Sequence, residues 1–244
     1  MSPLTEYDLR RYQRQMLLPG WGEAGQEKLK SSCAFIAGAG GLGSPVALYL
    51  AAAGVGELRI CDSDVVELSN LNRQILHPEE RIGVSKALSA GETLRLQNPT
   101  IHIHTFPEHL DEASIERIAG SPDIVLDCLD NFETRYLLNR YCLAHHIPLI
   151  HAAVWGFTGQ LSFLHPPETP CLRCIVPSPP PKSVFPIVGA TAGLVGCVQA
   201  AEALKHLTGV GVTLRGTLLM VDAEDMEFFR LQVNRRDDCP DCGR

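Results

Sequence analysis

Gly38, Gly40 and Gly43, with Gly41 among them, follow the apolar run Cys33–Ala37 and precede the Ala- and Leu-rich stretch 45–56. A strand entering Gly-x-Gly-x-x-Gly and leaving as a helix lets backbone approach a phosphate closely. The helix start supplies free N–H groups and partial positive charge to receive it. Asp62 follows a second apolar run, Glu57–Cys61, where a carboxylate accepts hydrogen bonds from ribose hydroxyls. These residues predict a nucleotide site. By themselves they do not choose between NAD and ATP, and a tight turn without ligand is the plain structural alternative.

What lies beyond the loop makes the choice. A dehydrogenase has no reacting phosphate, whereas cleavage of a triphosphate needs cations against the charge that develops on the leaving group. The segment Ser69–Gln74, SNLNRQ, brings Asn70, Arg73 and Gln74; Asp64 precedes it and Lys86 opens the next helix. Asp130 and Asn131 fall at the carboxyl end of the run DIVLDCL, the crevice position of open α/β sheets, where Asp130 is placed to hold Mg²⁺. Each has an ordinary alternative: solvated cations for Arg73 and Lys86, a helix cap for Asp130. Together, in this order, they point to ATP as a substrate.

Cys171-x-x-Cys174 and Cys239-x-x-Cys242 form two close pairs, four thiolates that complete a tetrahedral Zn²⁺ shell. In a reducing compartment a metal is the better reading than disulfides, and two pairs far apart in sequence suggest a structural staple on the C-terminal tail. Cys33, Cys61, Cys128, Cys142 and Cys197 lie in apolar segments and are expected to be buried and unreactive.

The elements that position these groups alternate strand and helix. Residues 7–30 predict a helical N-terminal segment with a turn at Pro19–Gly20, and the helix after the glycine loop should end at Gly54 or Gly56. Helices are predicted over Lys86–Leu96, Asp111–Ile118, Thr134–His145 and Ala190–Leu207, and strands over Ile101–Phe106, Asp123–Leu129 and Pro148–Ala153. Gly216–Asp222 and Met226–Val233 read as two further strands, antiparallel to one another. The expected class is therefore α/β: a Rossmann-like, doubly wound, mostly parallel sheet extended by C-terminal antiparallel strands. The organisation expected is one domain over 1–244, with an N-terminal helical segment 1–30, a nucleotide-binding half 31–155 and a second half 156–244. The Pro-rich stretch PSPPPKSVFP lies in a loop near 175–190.

Composition is consistent with this. Of 244 residues 45% are hydrophobic and 20% charged, enough for a sizeable core, and the net charge of −7 argues against a nucleic-acid partner. No apolar run reaches the ~18 residues of a membrane span, and the polar start MSPLTEYDLRRYQRQ is unlike a signal peptide, so a cytoplasmic location is expected.

The run GAGGLGSPVALYLAAAGVGELRICDSDVVELSNLNRQ, then Lys86, then DIVLDCLDNFETR, resembles the MoeB/ThiF/HesA adenylyltransferases, relatives of ubiquitin-activating enzymes. The resemblance runs from RYQRQ to the last cysteine pair. It implies adenylation of the C-terminal glycine of a small ubiquitin-like sulfur carrier, with pyrophosphate released. Asp62 would hold the ribose, Asn70 and Arg73 the phosphates, Lys86 the transferring α-phosphate and leaving group, and Asp130 the Mg²⁺. Arg14, in RYQRQ, matches an arginine that family dimers donate to the neighbouring subunit's ATP, which implies a homodimer. A surface ion pair is its ordinary alternative. The resemblance also implies the zinc. Pro177–Pro186 lacks the cysteine that several members use covalently, so the reaction is expected to stop at the acyl adenylate, as in MoeB-type members. No rhodanese domain follows, so a separate sulfurtransferase is expected to supply sulfur. Molybdopterin synthesis is the expected pathway. A thiamine-pathway carrier, a silent carrier-binding homologue and a nicotinamide oxidoreductase rank behind it.

Overall fold

The computed structural model describes residues 3–181 and 185–243. Three short helices open the chain: α1 (Glu6–Arg11), α2 (Gln13–Met16) and α3 (Gly22–Ser31). Thr5 and Asp8 form a capping box at the start of α1, and the break before α3 falls at Pro19–Gly20, where Gly20 takes a φ of 84°.

The strands and helices then alternate: β1 (Cys33–Ala37), α4 (Gly43–Ala53), β2 (Glu57–Cys61), α5 (Lys86–Gln97), β3 (His102–Phe106), α6 (Ile115–Ala119), β4 (Ile124–Asp127), α7 (Phe132–His145), β5 (Leu149–Trp155), β6 (Thr158–Leu164), α8 (Leu172–Ile175), α9 (Gly189–Thr208), β7 (Thr217–Asp222) and β8 (Glu227–Gln232). One eight-stranded sheet has the order β3-β2-β1-β4-β5-β6-β7-β8. The five strands from β3 to β5 are mutually parallel, and β6, β7 and β8 add antiparallel hairpins. The sequence therefore describes the sheet class correctly. The chain winds outward from β1 to β3 and returns to β4 on β1's other side. That reversal opens a crevice beyond the carboxyl ends of β1 and β4.

Alternation along the central strands builds two cores. Ala34 and Ile36 of β1 face one, with residues of α3, α4, α5 and α9; Phe35 and Ala37 face the other, with α6 and α7. Helix α4 is apolar nearly all round, which suits its buried position, and it ends where Gly54 turns left-handed at φ 87°.

Several expected boundaries shift for local reasons. The helix expected from Asp111 begins only at Ile115, because the Asp111 carboxylate accepts from the N–H groups of Ala113 and Ser114 and makes a turn there instead. The strand expected to reach Leu129 stops at Asp127, whose carboxylate takes the Leu129 N–H. Cys61, Cys128 and Cys142 are buried, but Cys33 and Cys197 are only half-buried, and Cys128 follows β4 rather than lying in it. Burial still pushes the Cys33 and Cys61 thiols up to about 12, so both are protonated and inert near neutrality. Lys182, Ser183 and Val184 of the Pro-rich loop lie outside the described residues. Among those described, no helix is long and apolar enough to cross a membrane.

Candidate active site

The glycine loop joins β1 to α4, and its glycines serve two purposes. Gly38 has φ 98°, and a Cβ there would meet the Cys128 carbonyl at 2.6 Å. A Cβ on Gly43 would lie 2.0 Å from the Gly38 oxygen. The fold itself requires these two. At Gly40 and Gly41 a Cβ would meet nothing closer than Gln74 Nε2 at 3.6 Å and Ala192 Cβ at 3.4 Å, respectively. Packing does not demand glycine there, whereas close approach of a phosphate would. Ala39, between Gly38 and Gly40, is held on both sides: its N–H donates to Asp62 Oδ2 at 2.8 Å, and its oxygen is 2.8 Å from His77 Nε2. His77 is buried, and its other ring nitrogen is 2.9 Å from Ser89 Oγ. Burial holds the His77 imidazole below its ordinary pKa, so it stays neutral and donates from Nε2. Asp62 also accepts from Asp64 N–H at 2.9 Å. Burial raises its pKa against those bonds and the nearby Lys86 charge.

Beside the loop lies a cleft of about 480 Å³ lined by Ser63, Asp64, Val65, Glu67, Asn70, Arg73, Gln74, Lys86 and Asp130. The structure thus gathers Asp64, Asn70, Arg73, Gln74, Lys86 and Asp130 around one space. Lys86 is only 7% exposed and its ammonium sits 2.9 Å from Asp64 Oδ2, a carboxylate open to water. Arg73 donates to the Ser69 carbonyl and Asn72 Oδ1, both at 2.9 Å. Gln74 is buried, yet its Oε1 has no partner among the described residues. An orphaned acceptor in a polar cleft fits a donor brought by a ligand. Asn70 is committed locally, its Oδ1 accepting from Glu67 N–H at 3.1 Å.

Asp130 is exposed and makes no hydrogen bond among the described residues, whereas Asn131 caps α7 through its Oδ1, 2.9 Å from Thr134 N. The cap is therefore Asn131, and Asp130 is left facing the cleft. The same loop rests on a buried network that sequence reasoning missed: Asp127 with His151 Nδ1 at 2.6 Å and Arg135 Nε at 3.4 Å. Burial opposes ionisation of Asp127, but Arg135 and His151 outweigh it and keep the carboxyl below the usual carboxylate range. Only pairing across β4, β5 and α7 reveals this triad, since its members are 8 to 24 positions apart. Glu67 also went unremarked, and its acidic side chain among polar neighbours carries no motif.

Arg14 is exposed on α2 and makes no ion pair among the described residues. Within one chain it does not join the residues that line the cleft. Outside the cleft lining, Cys171, Cys174, Cys239 and Cys242 are buried with their sulfurs within 4.8 Å of one another. Their contacts of 3.4, 3.6 and 4.0 Å bracket the roughly 3.8 Å expected for a tetrahedron of ~2.3 Å Zn–S bonds. The four thiols fit a Zn²⁺ ion by donor type, number and spacing.

The profile of the ThiF family matches residues 12–241. The chain belongs to the ThiF family. Among relatives, the SAMP-activating enzyme E1 of Haloferax volcanii is 42% identical over 246 residues, covering 98% of this chain and 91% of that one. The sulfur carrier protein adenylyltransferase of Thermus thermophilus is also 42% identical, over 98% of this chain and 92% of its own. The adenylyltransferase and sulfurtransferase MOCS3 of Mus musculus is 42% identical across 100% of this chain but only 54% of its own length. In fold the chain is similar to E. coli MccB crystallised with AMPCPP and selenomethionyl MccA, at 22% identity and a TM-score of 0.87 over 99% of this chain and 75% of MccB. This ThiF-family protein is an adenylyltransferase, as its resemblance to the MoeB/ThiF/HesA enzymes implies.

Proposed function

We propose that the protein transfers the adenylyl group of ATP to the C-terminal glycine carboxylate of a small ubiquitin-like sulfur-carrier protein. The observation that carries this reading is the charge balance of the cleft. Arg73 and Lys86 face three carboxylates, Asp64, Glu67 and Asp130, leaving one negative charge in excess. Such a cleft repels a bare polyphosphate and accepts one that arrives with a divalent cation. A nicotinamide site has no use for that arrangement.

Carrier carboxylate oxygen attacks the α-phosphorus, and the bond to the bridging oxygen breaks with its electron pair leaving on pyrophosphate. Lys86 exchanges Asp64 for the phosphates and, with Arg73, steadies charge on the leaving group. Gly40 and Gly41 give the phosphates room against the backbone, Asn70 Nδ2 and Gln74 Nε2 donate to them, and Gln74 Oε1 accepts from a donor elsewhere on the nucleotide. Asp62 still has lone pairs for the ribose after holding the loop; Asn131 offers only its amide nitrogen. Asp130 is the ligand for Mg²⁺, which when bound offsets phosphate charge. In a homodimer Arg14 reaches the neighbour's nucleotide. Residues 31–155 bind ATP and 156–244 receive the carrier, while the four-cysteine Zn²⁺ site anchors the tail. A separate cytoplasmic sulfurtransferase converts the acyl adenylate, in molybdenum-cofactor synthesis. The name of the Thermus relative supports the carrier class, and that of the mouse relative the sulfur transfer that follows adenylation.

Calorimetric titration tests the nucleotide. A non-hydrolysable ATP analogue should bind with Mg²⁺ and at least 10-fold more weakly in EDTA, and NADH should not bind. Binding of NADH, or of the analogue equally with and without metal, would overturn the reading.

A further inference from the structure

We propose that Arg135 is the positioning residue that sets Asp130 for its divalent cation; this rests on the adenylation reading above. The Arg135 side chain holds the carbonyl just before Asp130, and the first backbone bond of α7 holds the one just after. Arg135 Nη2 donates to the carbonyl of Leu129, the residue before, and its backbone N–H donates to the carbonyl of Asn131, the residue after, at 3.3 Å. The same Nη2 reaches the Ala152 carbonyl at 3.1 Å on β5, and Nε faces Asp127 at 3.4 Å at the end of β4. The guanidinium lies 5.0 Å from the Phe132 ring centroid.

The loop is otherwise tied at its root. Cys128 N–H donates to Ala37 at 2.9 Å, Leu129 N–H to Asp127 Oδ1 at 3.1 Å, and Gln199 of α9 donates to Asp127 O at 3.0 Å and Ile150 O at 2.9 Å. The carbonyls of Leu129 and Asn131, before and after Asp130, are thereby held, while its own carboxylate stays open to the cleft. A buried ion pair contributes little to stability compared with apolar packing, so its presence beneath this loop suggests a requirement for geometry. Arginine suits it, because one guanidinium nitrogen bridges two carbonyls while the delocalised charge lies beside the Asp127 carboxylate; lysine offers one point charge. Arg135 is buried under the loop and is not among the residues that line the cleft.

Full-length wild type, Arg135→Lys, Phe132→Leu and Asp130→Asn are compared by electron paramagnetic resonance of free Mn²⁺ titrated with protein saturated in AMPPNP. Analogue affinity in EDTA and the melting temperature are measured alongside. Arg135→Lys should weaken Mn²⁺ binding at least 10-fold, approaching Asp130→Asn, with metal-free analogue affinity within 3-fold of wild type. Mn²⁺ affinity unchanged in folded Arg135→Lys, even with a lower melting temperature, would overturn the proposal, as would parallel loss of metal and metal-free nucleotide binding. If Arg135→Lys does not fold, Phe132→Leu, which removes only the ring beside the guanidinium, decides: a 3-fold weakening supports the role and none overturns it. Mn²⁺ binding that ignores Asp130 as well would overturn the adenylation-site reading together with this one.

Discussion

Lys86→Met separates the chemistry of the cleft from its stability. The ammonium is held 2.9 Å from Asp64 Oδ2, and the Asp64 side chain is 66% exposed. Removing the charge therefore leaves its direct partner solvated, while Asp62 keeps its two backbone N–H donors, and methionine refills most of the stem's volume. The pair is worth at most about 1 kcal/mol to folding, so the melting temperature should move by no more than about 4 °C. Against a phosphate at contact distance the same charge matters more: about 4 kcal/mol at 4 Å and an effective dielectric of about 20. That corresponds to a loss of roughly 10³-fold in rate, near the upper end of the 10² to 10³ typical of a lost oxyanion donor. Exchange of labelled pyrophosphate into ATP and a thermal melt measure the two sides. Exchange within 10-fold of wild type in folded protein would refute the role. A melting temperature lowered by more than ~10 °C would assign Lys86 to the fold instead.

The loop glycines should divide by substitution. Gly41→Ala should leave the melt unchanged and weaken Mg²⁺-nucleotide binding at least 10-fold by calorimetry, whereas Gly43→Ala, whose Cβ would press 2.0 Å from the Gly38 oxygen, should destabilise the fold outright. Cys239→Ser should abolish a bound zinc equivalent in elemental analysis and lower the melting temperature, with nucleotide affinity within 3-fold; a metal-free wild type with an unchanged melt would contradict the staple. Burial lowers the folded-state pKa of both His77 and His151 below the ordinary value of 6.5. The unfolded chain therefore takes up the protons first, and stability present above pH 6.5 is lost as pH falls through it. The decline should approach at most about 1.4 kcal/mol per pH unit for each histidine in urea titrations. A flat profile from pH 7.5 to 5.5 would count against neutral burial.

The strand-loop-helix of the glycine loop and the apolar runs of β1, β2 and β4 were legible because hydrophobic periodicity and glycine placement are local signals. They also gave Asp62 and the two cysteine pairs. The sequence could not distinguish the glycines the fold needs, Gly38 and Gly43, from Gly40 and Gly41, because only the partner across the turn separates them. Asp130 and Asn131 stand side by side in the sequence, and only the start of α7 at Phe132 shows which of them caps the helix. The Asp127, Arg135 and His151 triad stayed hidden because it forms only when β4, β5 and α7 come together. Arg14 needs a second copy of the chain to acquire any purpose in the cleft. The cation cluster inferred from Arg73 and Lys86 is half of the picture; Asp64, Glu67 and Asp130 line the same cleft, and that charge balance is what supports the proposal of a metal-bound phosphate.

The most direct test of adenylation is pyrophosphate exchange with purified protein, Mg²⁺, ATP and a ubiquitin-like carrier ending in glycine. The account predicts exchange that requires Mg²⁺ and the carrier's terminal glycine carboxylate, and that disappears when the carrier's last residue is removed. Absence of exchange with every glycine-terminated carrier tried, while Mg²⁺ and ATP are demonstrably bound, would contradict it.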